Sequence, residues 1–410
     1  MAPTLHDQAT AVKSAAAQVG VASDAVRRAV IVDVAMRLDA SRDRILAVNA
    51  AEVAAYQGDE TGRDRLTLTP ARIDSMVSAL REVAGADDPL GEIVTHDVRP
   101  NGLVVDRVRV PLGVVGVIYE NRPNVTMDVA ALCVRSGNAA FLRGSASAQA
   151  SNTALVELWH DALSAAGLPR ATVSLVADSS HDTAAQFMGL VGVIDCLIPR
   201  GGPSLIAAMR EHARVPYVID GDGNCHVYVD AAADLTMAAE IVANAKMSRP
   251  GVCNAAESLL VHRKVAEQFV PRLAEILPSV TIRGDATVRE LLPSADLATE
   301  EDYATEYLGP IIAVAVVESM DEAIAHVARY GTGHSEAIVT SDAAAAQRWV
   351  REVDAAAVLV NASTRFVDGG ELGLGAEVGI STQKLHARGP MGIKELTCLK
   401  WVINGKGHVR

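Results

Sequence analysis

The sequence predicts an α/β protein of two parallel-sheet domains with a small additional β element. Three observations carry that expectation. Short aliphatic runs alternate with amphipathic helical stretches between about residues 114 and 219. A second such series runs from about 226 to 360. The length of 410 residues, at ~150 residues per domain, suits two or three domains rather than one.

In chain order, residues 8–56 carry Ala, Val, Leu and Met at helical spacing, and 70–84 repeat the pattern behind Pro70, a favoured first helical residue. An N-terminal helical block follows from this. Residues 92–111 alternate β-branched and polar residues on both sides of Pro100-Asn101-Gly102, which predicts a hairpin whose Asn-Gly turn supplies two positive φ angles. The run Val114 to Ile118 is apolar throughout, as in a strand buried on both faces. Helices are then expected at 127–135, 147–165, 181–190 and 203–212, and strands at 139–142, 173–176, 193–198 and 215–219. The second series predicts helices at 232–246, 264–275, 321–329 and 342–352, and strands near 258–262, 311–317 and 336–340. The last segment reads as a short helix and an amphipathic strand, a candidate oligomer contact.

Composition narrows the function. Apolar residues are 50% and charged residues 21%, which rules out disorder for a chain this long. The net charge is −13 with no clustered basic run, so nucleic acid and anionic membranes are not expected partners. No apolar stretch approaches ~18 residues, and the first residues lack a secretory pattern. The expectation is a cytoplasmic protein. Five cysteines without a C-x-x-C pair fit a reducing compartment better than a disulfide framework.

The dinucleotide fingerprint G-x-G-x-x-G is missing, and the glycine cluster at 368–379 follows no βαβ unit, so by itself it is a loop. No His/Cys spacing indicates a metal. Cys133 and Cys196 lie in apolar runs and Cys398 in the terminal strand, so all three read as small core residues. Cys253 differs. It follows a helix and the break Ser248-Arg249-Pro250-Gly251, where backbone N–H groups and Arg249 favour a thiolate. The residues alone leave two readings open, a nucleophile or a buried Cys beside a turn.

Five segments, GVVGVIYENRPNVT (113–126), SGNAAFLRGS (136–145), SRPGVCNA (248–255), EYLGP (306–310) and GLGAEVGIST (373–382), resemble the aldehyde dehydrogenase superfamily. More narrowly they resemble its members that reduce L-glutamyl 5-phosphate. The resemblance runs nearly end to end. It implies two Rossmann-like domains plus a small β oligomerisation element. Residues 1–224 would form the NADP-binding domain, with the hairpin 92–111 as an oligomerisation arm, 225–370 the catalytic domain, and 371–410 a segment returning to the cofactor domain and the oligomer interface. In that superfamily the cofactor binds without the usual glycine fingerprint.

The resemblance further implies that Cys253 is the nucleophile of an NADPH-dependent reduction of L-glutamyl 5-phosphate to glutamate 5-semialdehyde through a thioester, the second step of proline biosynthesis. Asn124, with Asn121 as the alternative, would complete an oxyanion hole with the Cys253 N–H; an Asx turn beside Pro123 is the other reading of either. Arg143 stands where NAD-preferring relatives carry lysine, and Ala146 where they carry a ribose-binding glutamate. Arg143 and the Ser145 hydroxyl therefore suit the 2′-phosphate of NADP(H). Arg200, Gly201 and Gly202 precede a helix and offer amides to the pyrophosphate, and Glu306 would hold the nicotinamide ribose. Arg122, Arg249, Thr364 and Arg365 are candidates for the substrate's anionic groups.

Relatives that form free acids carry a glutamate base before the cysteine. Residues 220–224 hold no glutamate, which favours phosphate exchange over hydrolysis; Asp220 or Asp222 as the base is the other reading. The alternatives are an aldehyde dehydrogenase forming a free acid, a catalytically silent scaffold of the same fold, or a thiol hydrolase using His226 or His386. A homo-oligomer and direct transfer from glutamate 5-kinase are the expected associations.

Overall fold

The computed structural model describes residues 4–219 and 221–410. They divide into two compact units: residues 4–219, 373–379 and 391–410, and residues 221–372 and 380–390.

The first unit begins with α1 (Leu5–Val19), α2 (Asp24–Ala40), α3 (Arg42–Ala55), α4 (Glu60–Leu66) and α5 (Pro70–Gly85). Thr4, Ser23, Asp59 and Thr69 each accept a backbone N–H from the first turn of the helix that follows, which satisfies donors a helix otherwise leaves open. The strands β1 (Ile93–Val98) and β2 (Val104–Pro111) then form the expected hairpin. Its turn differs from expectation. Only Gly102 has a positive φ, +86°, and its N–H donates to the Arg99 carbonyl at 2.8 Å. The connection is a five-residue loop with a left-handed glycine, not a two-residue turn.

A parallel four-stranded sheet follows, built from β3 (Val114–Tyr119), α6 (Pro123–Arg135), β4 (Ala139–Arg143), α7 (Gln149–Ala165), β5 (Val173–Leu175), α8 (His181–Met188), β6 (Cys196–Arg200) and α9 (Pro203–His212). Its order is β5-β4-β3-β6. All six residues of β3 are buried, as its unbroken apolar run predicts, and each such aliphatic side chain contributes ~1.5–3 kcal/mol. The strand expected at 215–219 is reduced to a single bridge, Leu197 to Tyr217, because Pro216 brings no N–H to the ladder.

The second unit carries β7 (Cys225–Val229), α10 (Leu235–Met247), β8 (Ala256–His262), α11 (Arg263–Phe269), α12 (Leu273–Ile276), β9 (Thr281–Gly284), α13 (Ala286–Leu291), β10 (Asp296–Leu297), α14 (Glu300–Tyr303), β11 (Ile311–Val317), α15 (Met320–Tyr330), β12 (Ser335–Val339), α16 (Ala343–Glu352) and β13 (Ala357–Val360). The strands join in parallel in the order β10-β9-β11-β8-β7-β12-β13. A short antiparallel pair, β14 (Ile380–Ser381) and β15 (Gly389–Pro390), completes this unit.

The chain returns to the first unit with β16 (Thr397–Asn404), which pairs antiparallel with β2 and makes the small sheet three-stranded. Asn138 Nδ2 donates to the Leu396 carbonyl at 2.8 Å and ties this return to the loop before β4. Residues 393–396 form a turn rather than the expected short helix. Cys398 is exposed, not a core residue: β16 is an edge strand of a sheet with a solvated face. Among the described residues, no helix is long and apolar enough to cross a membrane, and no group of three His, Cys, Asp or Glu is placed to hold a metal ion.

Candidate active site

In the first unit the parallel register gathers several expected residues at one sheet edge. Ile118 pairs with Arg143 and Tyr119 with Arg200, so the carboxyl ends of β3, β4 and β6 lie side by side. Such an edge is where open α/β sheets bind ligands.

The loop leaving β3 there is held by a small polar network. Asn121 adopts φ +32°, a region Asn tolerates better than most side chains. Its Oδ1 accepts from Ser145 Oγ at 2.8 Å and Ser147 Oγ at 2.5 Å, and its Nδ2 donates to the Tyr56 hydroxyl at 3.0 Å. Arg122 is the N-cap of α6 and partly buried. Asn124, in the first turn of α6, donates through Nδ2 to Asp128 Oδ2 at 3.1 Å. Desolvation pushes the Asp128 carboxyl up to about 6, against the Asn124 hydrogen bond and the Arg200 charge.

Arg143 is half-buried, and its guanidinium donates to the Ser179 and Ser180 carbonyls at 2.5 and 3.0 Å. The Gly202 N–H, at the N-cap of α9, donates to Glu120 Oε2 at 3.1 Å. The amide that the sequence assigns to an anion thus already holds a carboxylate. At Gly201 an added Cβ would stand 2.8 Å from Glu120 Cδ, whereas at Gly202 it would meet nothing within 4 Å.

The second unit holds the cysteine. Cys253 sits on the loop 248–255 between α10 and β8 and is partly buried, while Cys133, Cys196 and Cys225 are buried. Two contacts fix the Cys253 carbonyl. Cys225 Sγ donates to its oxygen at 3.2 Å, and Gly223 packs so closely that an added Cβ would lie 1.6 Å from that oxygen. The Gly223 N–H in turn donates to Glu306 Oε1 at 2.8 Å, which links Glu306 to the cysteine loop.

Arg365 reaches the same loop from the other side, donating to Asn254 Oδ1 and, at 3.2 Å, to Ser248 Oγ. Asn254 Nδ2 donates to the Val367 carbonyl at 2.9 Å. Thr364 is fully buried, and Arg249 is exposed. Cys225 and His226, adjacent on β7, point apart as strand alternation requires. His226 Nδ1 lies 2.9 Å from Glu336 Oε2 with both side chains fully buried, so His226 is spent in a core pair. Asp220 lies outside the described residues.

Sequence reasoning missed Tyr56, Ser147 and Glu120, which organise the first cluster. It also missed the fully buried pair Lys246 Nζ to Glu257 Oε2 at 2.5 Å, whose residues flank the cysteine loop. A signal for that pair exists in the sequence: Lys246 and Glu257 are the nearest charges on either side of SRPGVCNA, each in a mostly apolar stretch.

The aldehyde dehydrogenase family profile matches residues 4–291 and 294–402. Among curated relatives, the gamma-glutamyl phosphate reductase of Thermobifida fusca is 53% identical over 380 residues, 91% of each chain. That of Carboxydothermus hydrogenoformans is 53% identical over 385 residues, 93% of each. The crystal structure of gamma-glutamyl phosphate reductase from Thermotoga maritima superposes with a TM-score of 0.97 at 44% identity, covering all of both chains. An acetylating aldehyde dehydrogenase from Geobacillus thermoglucosidasius shares the fold, with a TM-score of 0.70 at 17% identity over 99% of this chain and 97% of that one.

Proposed function

Because this chain belongs to the aldehyde dehydrogenase family, and within it to the gamma-glutamyl phosphate reductases, we propose that it converts L-glutamyl 5-phosphate to glutamate 5-semialdehyde with NADPH through a thioester on Cys253. The observation that carries this reading is the placement of Cys253 on a loop, partly exposed, with its own carbonyl fixed by Cys225 and Gly223. A nucleophile must be reachable and held still, and a positional error of 1 Å costs ~10²-fold in rate.

The Cys253 thiolate adds to the acyl carbon, and the carbon–oxygen bond to phosphate breaks with the electron pair leaving on phosphate. The nicotinamide cofactor, when bound, supplies hydride to the thioester carbon. The resulting thiohemiacetal expels the thiolate and releases the aldehyde. In both additions the donors that the family resemblance assigns to the oxyanion are the Cys253 N–H and the amide of Asn124, or of Asn121. Losing one such donor costs ~10²–10³ in turnover. The Asp128 carboxylate orients the Asn124 amide from one turn further along α6.

The donors of the first unit fit a phosphorylated dinucleotide. The Glu120 carboxylate on the Gly202 amide is a stand-in anion, which a pyrophosphate oxygen replaces while Gly201 and Arg200 line the same helix start. Arg143 and Ser145 take the 2′-phosphate, supporting NADP(H) over NAD(H). Glu306 holds the nicotinamide ribose. Arg122, Arg249 and Arg365 serve the leaving phosphate and the α-carboxylate, whereas Thr364, fully buried, does not reach them. Exchange of the thioester with phosphate rather than water, which in the reverse direction returns the acyl phosphate, is supported by the absence of glutamate from residues 220–224.

The same reading places the protein in the cytoplasm and in proline biosynthesis, receiving its labile substrate from glutamate 5-kinase. The small sheet carries exposed Ile93, Val98, Trp401 and Ile403, which supports a second copy of this chain as its partner.

The test is NADP⁺ reduction by pyrroline-5-carboxylate, in equilibrium with the semialdehyde, with and without inorganic phosphate. Turnover should require phosphate and vanish in Cys253→Ser. Phosphate-independent turnover would instead support a free-acid aldehyde dehydrogenase, and unimpaired Cys253→Ser would end the thioester mechanism.

A further inference from the structure

We propose that Lys246 and Glu257 are positioning residues for this reaction, a buried brace that locks the loop carrying Cys253 to the loop carrying Glu306. The proposal rests on the roles given to Cys253 and Glu306 above and adds what holds them in register.

Four contacts close a ring. Lys246, in the last turn of α10, meets Glu257, the second residue of β8, at 2.5 Å, so the ion pair joins the two ends of the loop 248–255. The other oxygen of Glu257 accepts the Leu308 N–H at 3.2 Å. Two residues before Leu308, Glu306 accepts the Gly223 N–H at 2.8 Å. Gly223 then abuts the carbonyl of Cys253 itself. From the cysteine, the path returns to the cysteine without leaving the second unit.

Two features separate a brace from a stray core ion pair. Leu308 has φ +52°, a conformation that side chains bearing a Cβ rarely adopt. Glu257 therefore supports strained backbone beside the cofactor ligand, not a regular ladder. Moreover, a fully buried ion pair is a poor stabiliser, since desolvation offsets its attraction, and apolar residues of similar volume often replace it without loss. Burial pushes the Glu257 carboxyl up and the Lys246 ammonium down, each opposed by the other's charge. The fold alone gives this pair little reason to exist, whereas fixing two loops does.

The experiment compares wild type with Lys246→Met/Glu257→Met, which removes both charges together and the Leu308 acceptor while filling the volume. Three quantities are read: melting temperature, NADPH dissociation constant by fluorescence titration, and the rate of Cys253 alkylation by iodoacetamide in the cofactor-free protein. The expected result is a folded variant melting near wild type, with NADPH binding about tenfold weaker and alkylation at pH 7 about tenfold slower, because the loops that carry Glu306 and Cys253 are no longer fixed. NADPH affinity and alkylation both within twofold of wild type would overturn the brace, whatever the melting temperature does. If the double variant does not fold, Glu257→Gln decides by the same alkylation rate and NADPH affinity: a threefold loss or more in both supports the brace, and anything less overturns it. Failure of the underlying reading looks different. Alkylation of wild-type Cys253 would then leave turnover intact, and Cys253→Ala would remain active.

Discussion

Gly223→Ala puts the nucleophile's geometry to a direct test. A Cβ at this position would lie 1.6 Å from the Cys253 oxygen, 2.4 Å from its carbonyl carbon and 2.7 Å from its Cα. All three neighbours are backbone, so no side-chain rotation relieves the overlap. Ordinary contact begins near 3.4 Å, and the two segments must therefore separate by about 2 Å. Since ~1 Å of misplacement costs ~10²-fold, kcat/KM should fall by at least ~10²-fold, about 3 kcal/mol of transition-state stabilisation. The accompanying overpacking costs ~1–3 kcal/mol of stability, so the variant should still fold. Gly251→Ala is the matched control. It lies on the same loop as Cys253, and its Cβ would meet only the Leu308 oxygen at an ordinary 3.6 Å. The assay is phosphate-dependent NADP⁺ reduction, with the folded fraction checked by circular dichroism. Gly223→Ala within threefold of wild type, or Gly251→Ala as damaging as Gly223→Ala, would refute the claim that this contact positions the thiol.

Other perturbations have equally definite outcomes. Asp128 has a native pKa of about 6 against ~3.9 when unfolded, so the native state binds the extra proton between those values and its stability falls as pH rises through that window. Asp128→Asn should therefore be more stable than wild type at pH 7.5, by ~1–2 kcal/mol after solvent screening. The gain should shrink toward zero near pH 4, as read from urea midpoints; a gain that grows on acidification would refute the sign. Arg143→Ala should raise KM for NADPH by ~10-fold while leaving KM for NADH nearly unchanged, since in the proposed binding mode the guanidinium meets only the 2′-phosphate. Equal shifts for both cofactors would remove Arg143 from that role. Ile403→Asp on the exposed edge strand β16, where the side chain is 60% exposed, should leave the chain folded and, on the proposed pairing of two copies through this sheet, lower the sedimentation coefficient toward that of a monomer; an unmoved coefficient excludes this sheet as the contact.

Much of the fold was legible because its signals are local. The apolar runs of β3 and β8 and the alternation of short strands with amphipathic helices depend on neighbours in sequence, and most strands and helices formed within a few residues of their expected places, although the helix expected at 264–275 is broken at Pro271 into α11 and α12. The failures are also local, but they turn on backbone chemistry that residue type reports poorly. The Asn101-Gly102 pair took one positive φ instead of two, because a longer loop can place a single left-handed glycine where a tight turn needs two such residues. Pro216 stopped a strand that hydrophobicity alone predicts. Cys398 looked like core because its strand is apolar, yet an edge strand of a small sheet has a side with nothing to pack against.

The site was less legible, and the reason is the kind of interaction that builds it. A cysteine after Ser-Arg-Pro-Gly announces a sharp break, so Cys253 could be singled out from its own neighbours. What holds it in place comes from residues far along the chain: Gly223 and Cys225 before it, Glu306 and Leu308 beyond it, Arg365 beyond those. Their contacts use main-chain atoms or the second oxygen of a carboxylate, and neither has a spacing rule. Only Lys246 and Glu257 leave a trace, as charges within apolar segments that fold into a core. A charge placed there is expensive to desolvate, so such positions in a sequence should be read first as geometry imposed on a neighbouring loop and only then as stability.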